Sequence, residues 1–368
     1  MGLIDLLAAP FREPAECVIK VDGQEIVPLY PFLTDVTIDC TRTRWGEATL
    51  HLESRRDERG KWSVQDEEVF VPWKRITIEA AFGHHTEPIL EGFVQCFQAN
   101  YPGEQGASTV TVKCRDASIE LDREHVRKMW GDEKKPATDA QILSEIIGRH
   151  QLQADPLNGS GQTGLIQQNQ DSTDIKFLKS RAEANGYELL FEGNSVYFGP
   201  MRVDAQPQST IMVYAGPATN CLSFDVGSDG HTPDQVGFDL AAVEGAGTEQ
   251  VLVKPDLAPM GKTAADSSSA GLGDFVWRLS RVGSRLKDEL TPVAQAKANE
   301  FAMKVKAKGE LDGTPYGHVL RVGHPVGVDG VGSWLGGIYY VDTVQHRFST
   351  EGYRQGFTLL RNAYGDNL

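Results

Sequence analysis

Between residues 30 and 128, apolar and polar side chains alternate with a period of two, and that pattern limits what the chain can fold into. Val36, Ile38 and Cys40 interleave with Thr37 and Asp39, and Ala48, Leu50 and Leu52 with Thr49, His51 and Glu53. Ile76, Ile78, Ala80 and Phe82 alternate with Thr77, Glu79 and Ala81, and Val110, Val112 and Cys114 with Thr109, Thr111 and Lys113. A strand places successive side chains on opposite faces, so each run has one buried and one wet face, as in a small antiparallel barrel or sandwich. Arg59-Gly60, Gly83-His84-His85 and Pro102–Gly106 separate the runs as turns. The 38 glycines and 18 prolines among 368 residues suit many short strands better than a helical bundle.

The pattern changes after Trp130. Thr138-Asp139-Ala140-Gln141 is a capping box that opens a helix with Ile142, Leu143, Ile146 and Ile147 on its apolar face. A polar stretch over 158–170 reads as a mobile loop. Ser172 is then expected to cap a second helix carrying Ile175, Leu178 and Ala182, with Phe177, Arg181 and Ala184 beside them and Gly186 at its end. Strands follow at Tyr187–Phe191, Ser195–Phe198, Thr210–Val213, Leu222–Val226 and Gln250–Val253. Residues 255–274 read as a linker. Val276, Leu279, Val282 and Leu286 suggest a helix, and Thr291-Pro292 the start of another that runs through Ala294, Ala298, Phe301 and Val305 to Gly309. Strands return at Val319–Val322, Ile338–Phe348 and Tyr353–Arg361.

Charge and composition exclude several functions. Acidic residues number 51 against 36 basic, a net charge of -15 spread along the whole chain. Tight nucleic-acid binding needs the opposite excess. The one basic stretch, 278–308, reads as solvated helix faces or, more sharply, as a docking surface for an acidic partner. Cys17, Cys40, Cys96, Cys114 and Cys221 are odd in number and lack CxxC spacing, so neither a disulfide framework nor a zinc centre is expected from them. No segment has the length and apolarity of a membrane span, and Met1–Leu7 lacks a basic region and carries Asp5, so no signal peptide is expected.

One internal comparison stands out. Leu90–Phe97 leads through a polar turn into Thr109–Arg115, and Leu335–Val341 leads through Thr350-Glu351-Gly352 into Phe357–Arg361. Each is a Gly-led strand, a hairpin and an alternating strand that ends at arginine. The two β-rich regions therefore read as copies of one unit.

No catalytic, cofactor or metal site emerges. HExxH, GxSxG and P-loop motifs are missing, and Gly330-Val331-Gly332-Ser333 lacks the third glycine and following helix of a phosphate loop. His84-His85 near Glu87 read as turn residues. Asp57, Glu58 and Asp66-Glu67-Glu68 read as solvated loop acids rather than a glycosidase pair. Trp45, Trp62, Trp73 and Trp130 read as packing or subunit contacts rather than a sugar platform. The chain is expected not to be an enzyme.

The segment Asp171–Phe191 resembles the S-D-x-x-F-L-x-x-L-A-x-x-x-G-Y signature of the phage late-control D, or baseplate hub, family, with Ser180 where leucine is usual. Gly337–His346 followed by Tyr353, Phe357, Leu359 and Arg361 resembles that family's closing strands. The same fold forms the hub part of type VI secretion spike proteins. The resemblance spans most of the chain in element order. It implies an α+β, β-rich chain with two tube-like antiparallel β-barrel domains, an α+β module and a helical insertion. The boundaries expected are 1–128 for the first barrel, 129–205 for the module, 206–254 with 311–368 for the second barrel, and 255–310 for the insertion.

What the resemblance implies for function is a homotrimeric hub in the virion tail tip or baseplate, assembled in the bacterial host cytoplasm. Three chains with two barrels each would adapt a sixfold tail tube to a threefold central spike, leaving a channel for DNA or cargo. The implied partners are the tail tube protein, the spike, the tape-measure protein C-terminus and a baseplate wedge or neighbouring baseplate protein. No spike repeat or lysozyme-like extension is seen, so those activities are expected in other chains. The acidic balance would suit a channel that must not hold DNA. Alternatives are a tail-associated cell-wall hydrolase and a hexameric distal-tail or tube-end protein.

Overall fold

The computed structural model describes residues 14–103, 108–241, 248–266, 271–279 and 287–368. The alternating N-terminal runs become strands β1 (Glu16–Val21), β2 (Gln24–Glu25), β3 (Leu33–Thr41), β4 (Glu47–Ser54), β5 (Arg75–Ala81), β6 (Thr86–Asn100) and β7 (Ser108–Asp116). They pair antiparallel in the order β3-β4-β7-β6-β5-β1-β2. Ile38, Leu50, Ile78, Val94 and Val112 point to one side and are fully buried, while the polar partners of the alternation face out. Gly92 sits where β6 crosses β7, and a Cβ there would lie 2.0 Å from the Arg115 carbonyl oxygen, so only glycine fits.

The middle of the chain supplies β8 (His125–Trp130), α1 (Asp139–Arg149), β9 (Gln153–Ala154), β10 (Gln168–Thr173), α2 (Asp174–Asn185), β11 (Glu188–Glu192) and β12 (Ser195–Gly199). The capping box forms as read, with both reciprocal bonds between Thr138 and Gln141. Ser172 does not cap α2. It lies in β10, paired with Val126 of β8, and Thr173 takes the N-cap position. That ladder also turns part of the expected 158–170 loop into strand. Gly186 ends α2 at φ 66°, as the sequence requires. Ile142, Ile146, Leu178, Val196 and Phe198 close a separate core between the helices and the short sheet. Within it Arg181 forms a two-pronged ion pair with the buried Asp139, Nε to Oδ1 at 2.7 Å and Nη2 to Oδ2 at 3.1 Å.

The remainder comprises β13 (Gln208–Met212), β14 (Cys221–Ser228), β15 (Gln235–Ala241), β16 (Thr248–Val253), β17 (Thr263–Ala264), β18 (Val276–Arg278), α3 (Lys287–Ala302), β19 (Val305–Asp312), α4 (Gly313–Tyr316), β20 (Pro325–Asp329), β21 (Gly337–Ser349), β22 (Gly352–Arg361) and β23 (Ala363–Tyr364). Several expectations are corrected here. Val276–Arg278 is a strand beside β15, not a helix, because a parallel ladder captures it. Val282, Leu286, Ser267–Ser269 and Met1–Leu7 lie outside the described residues. The stretch 255–274 is not a free linker: Met260 and Ala265 are buried, and β17 pairs with β23. Helix α3 begins before Thr291, so Pro292 is internal, and the Thr291 hydroxyl donates to the Lys287 carbonyl at 2.8 Å. The helix stops at Ala302, and Val305 opens β19 instead of continuing it. Val305, Ala307 and Leu311 are buried while Lys306, Lys308 and Glu310 are exposed, a period-two pattern. Within the expected helical insertion β18 and α3 make a mixed unit, and they pack with β15 and β16, which fall in the 206–254 span expected for the second barrel, around Val236, Phe238, Leu290, Ala294 and Ala298.

Among the described residues the long strands join one curled, 13-stranded sheet in the order β14-β19-β22-β21-β3-β4-β7-β6-β5-β1-β2, with β20 beside β21 and β13 beside β20. The junction is β21 with β3, Thr343 opposite Thr41 through Phe348 opposite Val36. Two cores lie under it, one in the N-terminal half and one around Ile211, Val326, Tyr339, Val341 and Leu359. Phe348 and Tyr353 of the C-terminal strands enter the N-terminal core. Among the described residues no helix is long and apolar enough to cross a membrane.

Candidate assembly interface

The strand order repeats. Reading outward, β3-β4-β7-β6-β5-β1 in the first half corresponds to β14-β19-β22-β21-β20-β13 in the second, and each set runs in the same chain order. One difference is that β1 meets β5 antiparallel whereas β13 meets β20 parallel. The segment β15–α3 occupies the place of the short β3–β4 turn. Each long hairpin carries one bulge, between Val94 and Cys96 in β6 and between Val341 and Thr343 in β21. Aligning the bulges equates Val94 with Val341, two residues away from the Gly92–Gly337 match suggested by sequence.

Among the described residues, two of the uncovered strand edges, on β6 and on β14, correspond to the two sides of the β21–β3 junction. In the second half, β21 is covered along its C-terminal part by β3. In the first half, β5 covers β6 only as far as Phe93, and among the described residues nothing pairs with Gln95–Asn100 on that side. Likewise β14 pairs with β19 on one side and with no described strand on the other. Unpaired N–H and C=O rows template pairing with another chain.

The outward face of the sheet is polar and of mixed sign. Asp35, Asp39, Glu47, Glu53, Asp225 and Glu310 share it with Lys113, Lys306, Lys308, Arg347 and Arg354. Arg347 pairs with Asp35 at 2.9 Å and Gln345 donates to Asp39 at 2.7 Å. The chain's acidity is not concentrated there. The basic stretch 278–308 is also dispersed, so it makes no single patch among the described residues. Arg278 pairs with Asp239, Lys287 with Glu249 and Lys297 with Glu300. Lys304 is buried against Asp234, and Lys306 and Lys308 lie on the sheet face. Residues 280–286 lie outside the described residues.

Where the two halves and the α+β module meet, a cavity of about 520 Å³ is lined by Arg42, Trp45, Glu188, Tyr187, Arg321 and His346 among others. Polar groups tie its walls together. Arg42 donates to Glu188 at 2.7 Å and to Asp342 at 2.8 Å. The Tyr340 hydroxyl donates to Glu188 at 2.7 Å and accepts the Arg202 N–H at 3.1 Å. Arg202 and His324 both reach Glu192, each at 3.1 Å. Burial opposes ionisation of Glu192, but the bonds from His324 and Arg202 outweigh it and hold its pKa down at about 2. His346 is fully enclosed; burial, with Arg321 nearby, pushes its pKa down to about 3, so it is neutral and shares a hydrogen bond with the Tyr353 hydroxyl at 2.8 Å. The site binds modules to one another.

The candidates weighed from the sequence fall apart spatially or serve the loops. Asp57 accepts the Arg59 and Lys61 N–H groups, Asp66 accepts that of Trp62, and Glu67 pairs with Lys61. Trp45 stacks on Arg115, Trp62 meets Tyr101 edge-on, Trp73 lies by Arg123 and Trp130 is buried with its Nε1 on Gln170, so they form no platform. Gly330 is a turn glycine at φ 88°, where a Cβ would lie 1.6 Å from the Val213 carbonyl oxygen. All five cysteines are free, and burial pushes Cys40 and Cys114 up to about 12. His85 and Glu87 do come together, joined by His318 from 231 residues away, a partner that no local pattern announces.

A family model described as the Alg8 N-terminal domain matches residues 12–350. The chain belongs to the Alg8 N-terminal domain family. No curated protein matches its sequence. Among solved structures, this Alg8 N-terminal domain chain is similar to the 43 kDa tail protein of prophage MuSo2 from Shewanella oneidensis, with TM-score 0.67 and 14% identity over 95% of this chain and 98% of that one. It is also similar to the tail protein from Neisseria meningitidis MC58, with TM-score 0.64 and 12% identity over 95% and 97%. A third is the E. coli c3393 protein, a component of the type VI secretion system with structural similarity to T4 tail proteins gp27 and gp5; TM-score 0.58 and 12% identity over 95% and 79%. The Alg8 N-terminal domain chain thus has the β-rich fold of phage tail and type VI secretion components. That likeness agrees, at the level of fold alone, with the tail family that the motifs resemble.

Proposed function

We propose that this chain is a non-enzymatic structural hub of a phage tail tip or contractile injector, acting as a homotrimeric ring between a sixfold tail tube and a threefold spike. The observation that carries it is the repeated strand order, with the edges of β14 and late β6 uncovered among the described residues. Each chain holds two copies of one sheet unit joined by the β3·β21 junction, and each leaves half a junction at either end. Transferring the internal register, by the bulge alignment and the ladders through Ala307 and Ala48, sets β14 of one copy antiparallel to β6 of the next. Phe97 then faces Ser228, Gln98 faces Gly227, Ala99 faces Val226 and Asn100 faces Asp225. The face pattern supports this: Ala99 and Val226 both pack against their cores, and Gln98 and Asp225 both lie with the exposed residues. A head-to-tail contact of this kind forms a ring when its rotation closes, and three chains then supply six units.

In this reading the domains are two tube-like barrel units, the α+β module at 129–205, and an insertion of mixed strand and helix within the second unit. The tail tube packs on the sixfold side, while the spike, the tape-measure C-terminus and baseplate neighbours meet the other. The mixed-sign sheet face forms the bore, close to neutral and without the cationic surface that would hold DNA. The virion tail tip is the site of action, reached by assembly in the host cytoplasm. The test is a mass measurement of the particle formed when the chain is coexpressed with its tail tube protein, with and without spike. Three copies per tip support the reading, and six copies, or a chain that clears peptidoglycan in a zymogram, overturn it.

A further inference from the structure

We propose that His85, Glu87 and His318 form a zinc-class divalent metal site that clamps the two halves of the molecule together. The three side chains come from different places. His85 ends the β5–β6 turn, Glu87 is the second residue of β6, and His318 follows the left-handed Gly317 that terminates α4. Their ligand atoms lie within 4.8 Å of one another. His318 Nδ1 is 2.7 Å from Glu87 Oε1, and His85 Nε2 is 3.3 Å from the same oxygen. A tetrahedral zinc with bonds of about 2.0–2.1 Å spaces neighbouring ligands about 3.3 Å apart, so the His85–Glu87 edge already fits, while His318 must retreat from Glu87 by about 0.6 Å and close on His85, from which it lies within 4.8 Å.

Two further features single this cluster out. His85 Nε2 is buried and has no hydrogen-bond partner among the described residues, although buried polar nitrogens ordinarily find one. The other carboxylate oxygen, Glu87 Oε2, accepts the Val319 N–H at 2.9 Å. That backbone bond orients the carboxylate and leaves Oε1 directed at the two histidines, as outer-shell partners do in metal sites. The His85 ring is held by stacking on Phe82 at 5.1 Å, and the His318 ring lies 5.4 Å from it. Two imidazoles and one carboxylate are the donor set that zinc prefers among nitrogen and oxygen ligands, with the remaining position left to water. The metal would tie the β5–β6 hairpin of the first sheet unit to the loop between α4 and β20 of the second.

The experiment is isothermal titration of the full chain with ZnCl2, beside His318→Gln and His85→Gln, each checked by circular dichroism. The expected result is one equivalent of zinc bound by the wild type and at least ~10-fold weaker binding by each variant, since even outer-shell losses cost about 10–100-fold. Zinc should also raise the melting temperature of the wild type alone. Absence of stoichiometric binding, or equal binding by folded variants, overturns the proposal. Should the variants not fold, cobalt substitution of the wild type decides: intense four-coordinate visible bands support the site, and a weak six-coordinate spectrum overturns it.

Discussion

Arg42→Met tests whether the polar knot between modules is structural. The Arg42 side chain is 16% exposed and bonds Glu188, itself 4% exposed, and Asp342, 25% exposed. The substitution removes two charge-assisted hydrogen bonds and leaves Glu188 buried with only neutral donors. Breaking a buried pair from one side costs about 3–5 kcal/mol, and partial rehydration of Asp342 favours the lower part, about 3–4 kcal/mol. The internal control is Arg347→Met, whose pair with Asp35 is open to solvent and screened, so its loss should cost far less. Glu188→Met added to Arg42→Met should recover much of the loss, because the stranded charge is then gone. Urea unfolding at neutral pH, followed by midpoint and slope, measures all four proteins. Arg42→Met costing no more than Arg347→Met, or a double variant no better than the single, would refute the reasoning.

Other measurements bear on the same architecture. In a Cys96→Ser background, Asn100→Cys with Asp225→Cys should cross-link between chains in the assembled ring, while Asn100→Cys with Ser228→Cys should not; uncross-linked trimers would leave the ring and remove the register. His346 has its folded pKa depressed to about 3 from 6.5, so its contribution is full above about pH 6.5 and is lost as pH falls toward 3. Stability should therefore fall by up to about 1.4 kcal/mol per pH unit through that window, and His346→Gln should flatten the slope in an acid titration. Arg361, wholly buried, donates to the carbonyls of Met260, Leu335, Gly336 and Gly365. Arg361→Met strands these acceptors and should cost about 3 kcal/mol or more by thermal unfolding; a loss below about 1 kcal/mol would contradict it.

Much of the fold was legible because it is written in local periods. The alternation at Val36–Cys40, Ala48–Leu52, Ile76–Phe82 and Val110–Cys114 gave four sheet strands, and the Thr138–Gln141 box and Gly186 gave two helix ends. Failures came where tertiary pairing overrode a local signal. Ser172 is a good cap, yet the β8 ladder draws it into a strand. Val276–Arg278 fits a helix stripe, yet β15 captures it. Val305 continues the helix stripe toward Gly309 while its own neighbours alternate, and this double reading conceals β19, a central strand of the second unit.

The sequence by itself determined which faces of the strands and helices are buried and where the capping box opens α1. Those properties depend on neighbours two to four residues apart. The tertiary structure alone decided that residues 36–41 pair with 343–348, that the repeated strand sets align on their bulges rather than on their glycines, and that among the described residues the edges of β14 and late β6 stay open. It alone brought His318 to His85 and Glu87, and Arg42 to Glu188. The physical reason is that backbone hydrogen bonding sets register between strands without regard to distance along the chain. An ion pair or ligand set built on such a register leaves no spacing for the sequence to show.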